Sequence, residues 1–253
     1  MTFLTKQLAV KVPAVTAFFW IIKVLATTVG ETFSDFINET LGFGLGNTTA
    51  VMTVILVLLL WFQVGSKVYR PWLYWVSIVQ VSITGTLITD NLTDGIGFPL
   101  LYSMIIFGVL LAVTFVIWYR KEKSLAMKSI NTRERELFYW LAILLTFAMG
   151  TATGDYLGDA LNLGFALSAV IFAAAIALTA VLWKTKAISE IAAFWVVYIL
   201  TRPLGASIGD LLAQAPKDGG LGVGTTGTSV IFLVAILASV TYLAISKKDQ
   251  LKP

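Results

Sequence analysis

The sequence predicts an all-α, polytopic membrane protein: one transmembrane domain of about eight helices, built as four parallel two-helix repeats. Three observations carry this. Of the 253 residues, 58% are hydrophobic and 13% charged, and the mean hydropathy is +0.86, which leaves too little charged surface for a soluble domain of this size. Residues 49–62, 99–119, 137–153, 161–183 and 221–246 carry no charge at all, and about 20 mostly apolar residues are enough to cross a hydrocarbon core about 30 Å thick. The third observation is a motif that recurs four times in one ungapped register. Nothing in the chain alternates in segments of about ten residues as a barrel would.

The motif begins with an aromatic–Trp pair at Phe19-Trp20, Tyr74-Trp75, Tyr139-Trp140 and Phe194-Trp195. Ten residues after each Trp stands a glycine: Gly30, Gly85, Gly150 and Gly205. Fifteen residues after it stands an aspartate: Asp35, Asp90, Asp155 and Asp210. Nineteen residues after it stand Glu39, Asp94, Asp159 and Gln214. A recurrence of this kind sets the architecture.

The helices follow in order. The first, 14–37, carries the first motif; its length and its place in the repeat distinguish it from a cleaved signal peptide. The second, 48–66, covers an uncharged run. The third, 72–93, carries the second motif, and the fourth, 98–119, is again uncharged. A charged cytoplasmic connector, 120–136, is expected to divide the molecule into two four-helix halves. The fifth helix (137–158) holds the third motif, the sixth (161–183) is apolar, and the seventh (190–213) holds the fourth motif and a kink at Pro203. The eighth is 225–246. The repeats are thus 14–66, 72–119, 137–183 and 190–246, all in one orientation.

Basic residues set the expected orientation. Lys6, Lys11, Lys67, Arg70, the cluster between Arg120 and Arg135, Lys184, Lys186, Lys247, Lys248 and Lys252 fall on one side, while the opposite loops hold only Lys217. The positive-inside rule then places both termini in the cytoplasm. All eight tryptophans lie toward that side and read as interface anchors.

The chain has no cysteine and no histidine. Disulfides, thiolate metal sites and Ser-His-Asp chemistry are excluded, and no enzyme activity or resident cofactor is expected. The +4 net charge resides in loops between spans, so no nucleic-acid partner is expected; the partners are the lipid bilayer and a small cation.

The segments Ala26-Thr-Thr-Val-Gly-Glu-Thr-Phe-Ser-Asp35, Thr151-Ala-Thr-Gly-Asp-Tyr-Leu-Gly-Asp159 and Arg202-Pro-Leu-Gly-Ala-Ser-Ile-Gly-Asp210 resemble a family of bacterial multi-pass inner-membrane proteins built from a tandem repeat of unknown function. The resemblance covers nearly the whole chain. It implies the bacterial cytoplasmic membrane and brings no activity with it.

Residues four apart share a helix face. The motif helices therefore carry polar stripes: Lys23, Thr27, Glu31, Asp35 and Glu39; Ser82, Thr86, Asp90 and Asp94; Thr151, Asp155 and Asp159; Arg202, Ala206, Asp210 and Gln214. The odd helices are expected around a polar interior with the even ones outside. Asp35, Asp90, Asp155 and Asp210, about 22 Å beyond their Trp residues, are the candidate metal ligands, since ionisable groups at such depth are costly unless they function. Glu31, Asp94 and Asp159 extend the candidate ion-binding set, although carboxylates near a surface, Glu39 among them, also read as a solvated vestibule. Arg202 and Lys23 are candidate counter-ions or gates; Lys23 reads equally well as snorkelling to the interface. The glycines read as close-packing positions.

Oxygen-only ligands suit hard cations such as Mn²⁺ or Mg²⁺. The expectation is a secondary transporter of a hard, divalent cation with possible proton coupling. An organic-cation transporter and a non-transporting scaffold or sensor are the alternatives.

Overall fold

The computed structural model describes residues 10–250, so Lys6 and Lys252 lie outside the described residues. Its eight long helices are α1 (Ala17–Asp35), α2 (Leu45–Gly65), α3 (Pro71–Asp90), α4 (Leu100–Glu122), α5 (Arg133–Asp155), α6 (Gly164–Lys184), α7 (Glu190–Ala213) and α8 (Gly224–Ser246). No strand occurs among the described residues. All eight helices are long and apolar enough to span a bilayer.

Local chemistry starts the odd helices. Thr16, Thr132 and Ser189 cap α1, α5 and α7 by accepting the N–H of Phe19, Arg135 and Ala192, and Pro71 opens α3, where its missing N–H costs nothing. Three of the odd helices do not stop at the motif aspartate. Each continues into a π-helical turn, Phe36–Thr40, Asn91–Gly95 or Tyr156–Ala160, whereas α7 ends as an α-helix at Ala213. The stretch expected as 120–136 is shorter than that, because α4 runs on to Glu122 and α5 begins at Arg133. Nor is it a purely solvated connector, since Met127 and Ile130 are buried.

The odd helices form a ring, α1 beside α3, α3 beside α5, α5 beside α7 and α7 beside α1. Each even helix lies outside it, against the odd helix of the following repeat: α2 on α3, α4 on α5, α6 on α7 and, across the seam between last and first repeats, α8 on α1. The spanning windows of the odd helices are 56–72% buried and those of the even ones 17–28%, which orders the two layers. Rows of Val, Leu and Ile on α2, α4, α6 and α8 face outward, as a lipid-facing surface requires. Because α4 packs on α5 as α2 packs on α3, the connector does not part the molecule into the expected halves.

The repeat glycines set the ring spacing. A Cβ added to Gly30 would lie 2.6 Å from the Cβ of Ser82, and one on Gly85 would lie 2.6 Å from the Cβ of Phe147. On Gly150 it would lie 2.7 Å from the Cβ of Arg202, and on Gly205 2.6 Å from the Cβ of Thr27. Each partner stands seven residues after the Trp of the next repeat, so one contact recurs four times and closes on itself. The helices run through these glycines without unwinding, which makes them packing positions.

At the motif-Trp end an aromatic floor closes the ring. Phe19, Tyr74, Tyr139 and Phe194 are buried there, together with Trp75, Trp118, Trp140, Trp195 and Tyr198. This corrects the reading of all eight tryptophans as interface anchors. Trp61, Trp72 and Trp183 are exposed, but Trp75, Trp140 and Trp195 are core residues, because the Trp of each motif from the second onward turns into the ring, and Trp118 of α4 is buried against Phe138 and Trp195. Beside this floor lies a buried ion pair, Lys11 Nζ to Glu136 Oε2 at 2.8 Å, with Gln63 Nε2 donating to Glu136 Oε1 at 3.0 Å.

The seam between α1 and α8 includes one hydroxyl pair, Thr32 Oγ1 to Ser229 Oγ at 2.8 Å. Thr32→Val is expected to lower stability by only about 0.6 kcal/mol, the usual worth of such a bond between membrane helices. A calorimetric melt of purified protein checks this; a loss of several kcal/mol would mean that the seam depends on the bond.

Candidate functional site

At the aspartate end, the last turn of each odd helix contributes one wall of a cavity of about 210 Å³. Asp35, Asp90, Asp155 and Asp210 all line it, with Glu31, Asn38, Glu39, Asp94, Asp159 and Gln214. The repeat explains the convergence: equivalent positions on four equivalent helices in a ring must meet at its axis.

Depth then divides the acids. Glu31, eleven residues after its Trp, is buried, the four motif aspartates are partly buried, and Glu39, Asp94 and Asp159 are exposed at the rim. The rim carboxylates sit on the π-helical turns, a feature that often accompanies functional sites and that nothing in the sequence reading foresaw.

The aspartates are not equivalent in detail. One carboxylate oxygen each from Glu31, Asp35 and Asp210 fall within 4.8 Å of one another, close enough to be bridged by one cation. Asp90 and Asp155 line the same cavity outside this trio. The trio stands at the α1–α7 corner, where the first and last repeats meet. Glu31 supplies the difference, because the equivalent residues in the other repeats are Thr86, Thr151 and Ala206. Among the described residues, Glu31 alone of these acids has an ion-pair partner.

That partner is Arg202, which is fully buried. Its Nη2 donates to Glu31 Oε2 at 2.7 Å, to Thr151 Oγ1 at 2.6 Å and to Thr86 Oγ1. These acceptors stand at one register position on α1, α5 and α3. The fourth member, Ala206 on α7 itself, is small, and the Arg202 head from one turn earlier reaches this tier instead. One guanidinium therefore ties α7 to the three other central helices, and it touches the acid cavity through Glu31.

Lys23 lies about two turns deeper. It is fully buried, with Nζ 4.1 Å from the Phe147 ring centre and 4.3 Å from that of Tyr198, and no hydrogen-bond acceptor reaches it among the described residues. The snorkelling reading fails: the side chain is enclosed by α5 and α7 because its helix lines the ring interior.

Comparison with known proteins adds a family. A family model described as Repeat of Unknown Function (DUF347) matches the chain four times, over residues 18–69, 73–124, 138–188 and 193–249. No curated protein and no solved structure matches.

Proposed function

From the premise that this chain belongs to the Repeat of Unknown Function family, whose description assigns no activity, we propose that it is a secondary transporter of a hard cation, with Mn²⁺ or Mg²⁺ as the leading candidates. The observation that carries the reading is the Glu31/Asp35/Asp210 trio, whose oxygens gather within 4.8 Å in a cavity sunk into a membrane-spanning bundle. Carboxylates held together inside a bilayer are costly without a charge to balance them. A chain without Cys or His offers hard oxygen donors, which suit Mg²⁺, Mn²⁺ or Ca²⁺ rather than copper or zinc. Asp90 and Asp155 stand ready as further ligands along the cavity.

Topology supports a direction of access. With the basic loops in the cytoplasm of a bacterial inner membrane, the acid cavity faces outward, and the aromatic floor with its Lys11–Glu136 pair is the inner seal. Transport then requires this floor to part. Protons compete for the same oxygens as the cation, so exchange of cation for protons follows.

The experiment is flux into liposomes holding a pH dye, with Mn²⁺, Mg²⁺ and Ca²⁺ presented in turn. Cation movement with opposing proton movement is expected, absent in Asp35→Asn/Asp155→Asn. Lowering the pH on the cavity side should slow entry of the cation, because protonated carboxyls no longer bind it. No flux of any divalent ion, with folded variants, would sink this reading and bring forward an organic cation or a sensor role.

A further inference from the structure

We infer that Arg202 is a tethered competitor for the cation site, and that its release from Glu31 unlocks the four central helices. The inference rests on the cation-transporter reading and specifies how occupancy of that site is sensed. Glu31 belongs to both assemblies. One of its oxygens takes the Arg202 guanidinium at 2.7 Å, and the carboxylate also completes the three-acid corner with Asp35 and Asp210. A divalent cation at that corner draws on the same negative charge and repels the guanidinium a few ångströms away. Cation and Arg202 therefore bind Glu31 antagonistically.

Three features make the release consequential. The head reaches all three acceptors from one nitrogen, Nη2, whose two hydrogens they share, while Nε and Nη1 are buried with no acceptor among the described residues, so the lock is incompletely satisfied and is held by few bonds. Those bonds end on α1, α3 and α5, so the side chain that loses Glu31 is the one spanning the ring. The residue after Arg202 is Pro203, which has no N–H for the Ile199 carbonyl one turn back, so α7 can bend where Arg202 is attached. Cation binding at the corner is thus coupled to loosening of the barrier beneath the cavity.

Absence of cysteine allows a clean reporter. Ser82, on α3 one turn below Thr86, is fully buried and its hydroxyl has no partner among the described residues, so Ser82→Cys removes no observed bond; because the larger sulfur presses on Gly30, every rate is compared within the Ser82→Cys background. Detergent-purified Ser82→Cys is labelled with a small charged thiol reagent with and without Mn²⁺, and Mn²⁺ binding is measured in parallel by electron paramagnetic resonance. In the Arg202 background Mn²⁺ should speed labelling at least about tenfold. Adding Arg202→Gln should make labelling fast with or without Mn²⁺ and tighten Mn²⁺ binding at least about tenfold, since the competitor is gone. Arg202→Lys keeps the charge without the spanning geometry, so labelling should be fast and affinity little changed. Mn²⁺ binding with an unchanged labelling rate in the Arg202 background overturns the coupling and leaves the cation site intact. No Mn²⁺ binding to the Arg202 protein overturns both.

Discussion

Asp210→Asn is expected to weaken cation binding at least about a hundredfold while leaving the protein folded. One of three carboxylates at the α1–α7 corner is lost, and a hard divalent ion recovers little from a neutral amide. Stability should hold, because Asp210 forms no ion pair among the described residues and its neighbours Glu31 and Asp35 are also acidic. Asn keeps the shape and removes repulsion. The signature is therefore a drop in Mn²⁺ affinity with an unchanged or raised melting temperature. Asp90→Asn, outside the trio, should cost much less. A purely structural role gives the opposite pattern: loss of yield and melting temperature in Asp210→Asn, with no cation effect to lose.

Gly205→Ala should disrupt the ring itself. The new Cβ would stand 2.6 Å from the Cβ of Thr27 and 3.1 Å from the backbone nitrogen of Thr28, and neither can swing aside as a flexible side-chain tip could. The helices must move apart at the seam where no peptide bond joins first and last repeats. Thr28 Oγ1, which donates to the Gly205 carbonyl at 3.0 Å, loses its geometry at the same time. Overpacking of this kind costs about 1–3 kcal/mol in a close-packed core, and the lost bond adds to it. Gly46→Ala is the control: it lies inside α2 with no atom within 4 Å of a new Cβ, so it should gain about 0.5–1 kcal/mol from the helical preference of alanine. Equal melting temperatures for Gly205→Ala and the parent protein would refute the glycine-set ring.

Much of the architecture was legible because the motif repeats. Four Trp-Gly-Asp registers in one frame give parallel repeats, and the 3.6-residue period sends their polar stripes inward. Ring order was not legible. It depends on each glycine meeting the residue three places before the corresponding glycine of the next repeat, a contact between chain segments that periodicity does not encode. The tryptophans misled for a related reason: a Trp near a helix end suits either an interface or a core, and only the neighbours of Trp75, Trp140 and Trp195 decide. The metal ligands were read as four equal aspartates, with Glu31 only in the wider ion-binding set. The pairing of Glu31 with Asp35 and Asp210 emerges only once α7 closes against α1, although the clue lay in the sequence: one register position reads Glu, Thr, Thr, Ala while the aspartate beside it never varies.

The single guanidinium at the ring axis bears on how such a chain arose. Four identical subunits, each one repeat long, could form the same closed ring through the same glycine contacts. Exact symmetry, however, would place either four arginines or none in the tier that Arg202 fills, and likewise four acids or none at the Glu31 position. One positive head shared by three acceptors requires a fourfold ring whose members differ, and one polypeptide carrying all four repeats guarantees one copy of each. The glycines and aspartates that build the ring are common to all four repeats, whereas register positions such as Thr27/Ser82/Phe147/Arg202 and Glu31/Thr86/Thr151/Ala206 differ, and these differences give the ring its distinct corner.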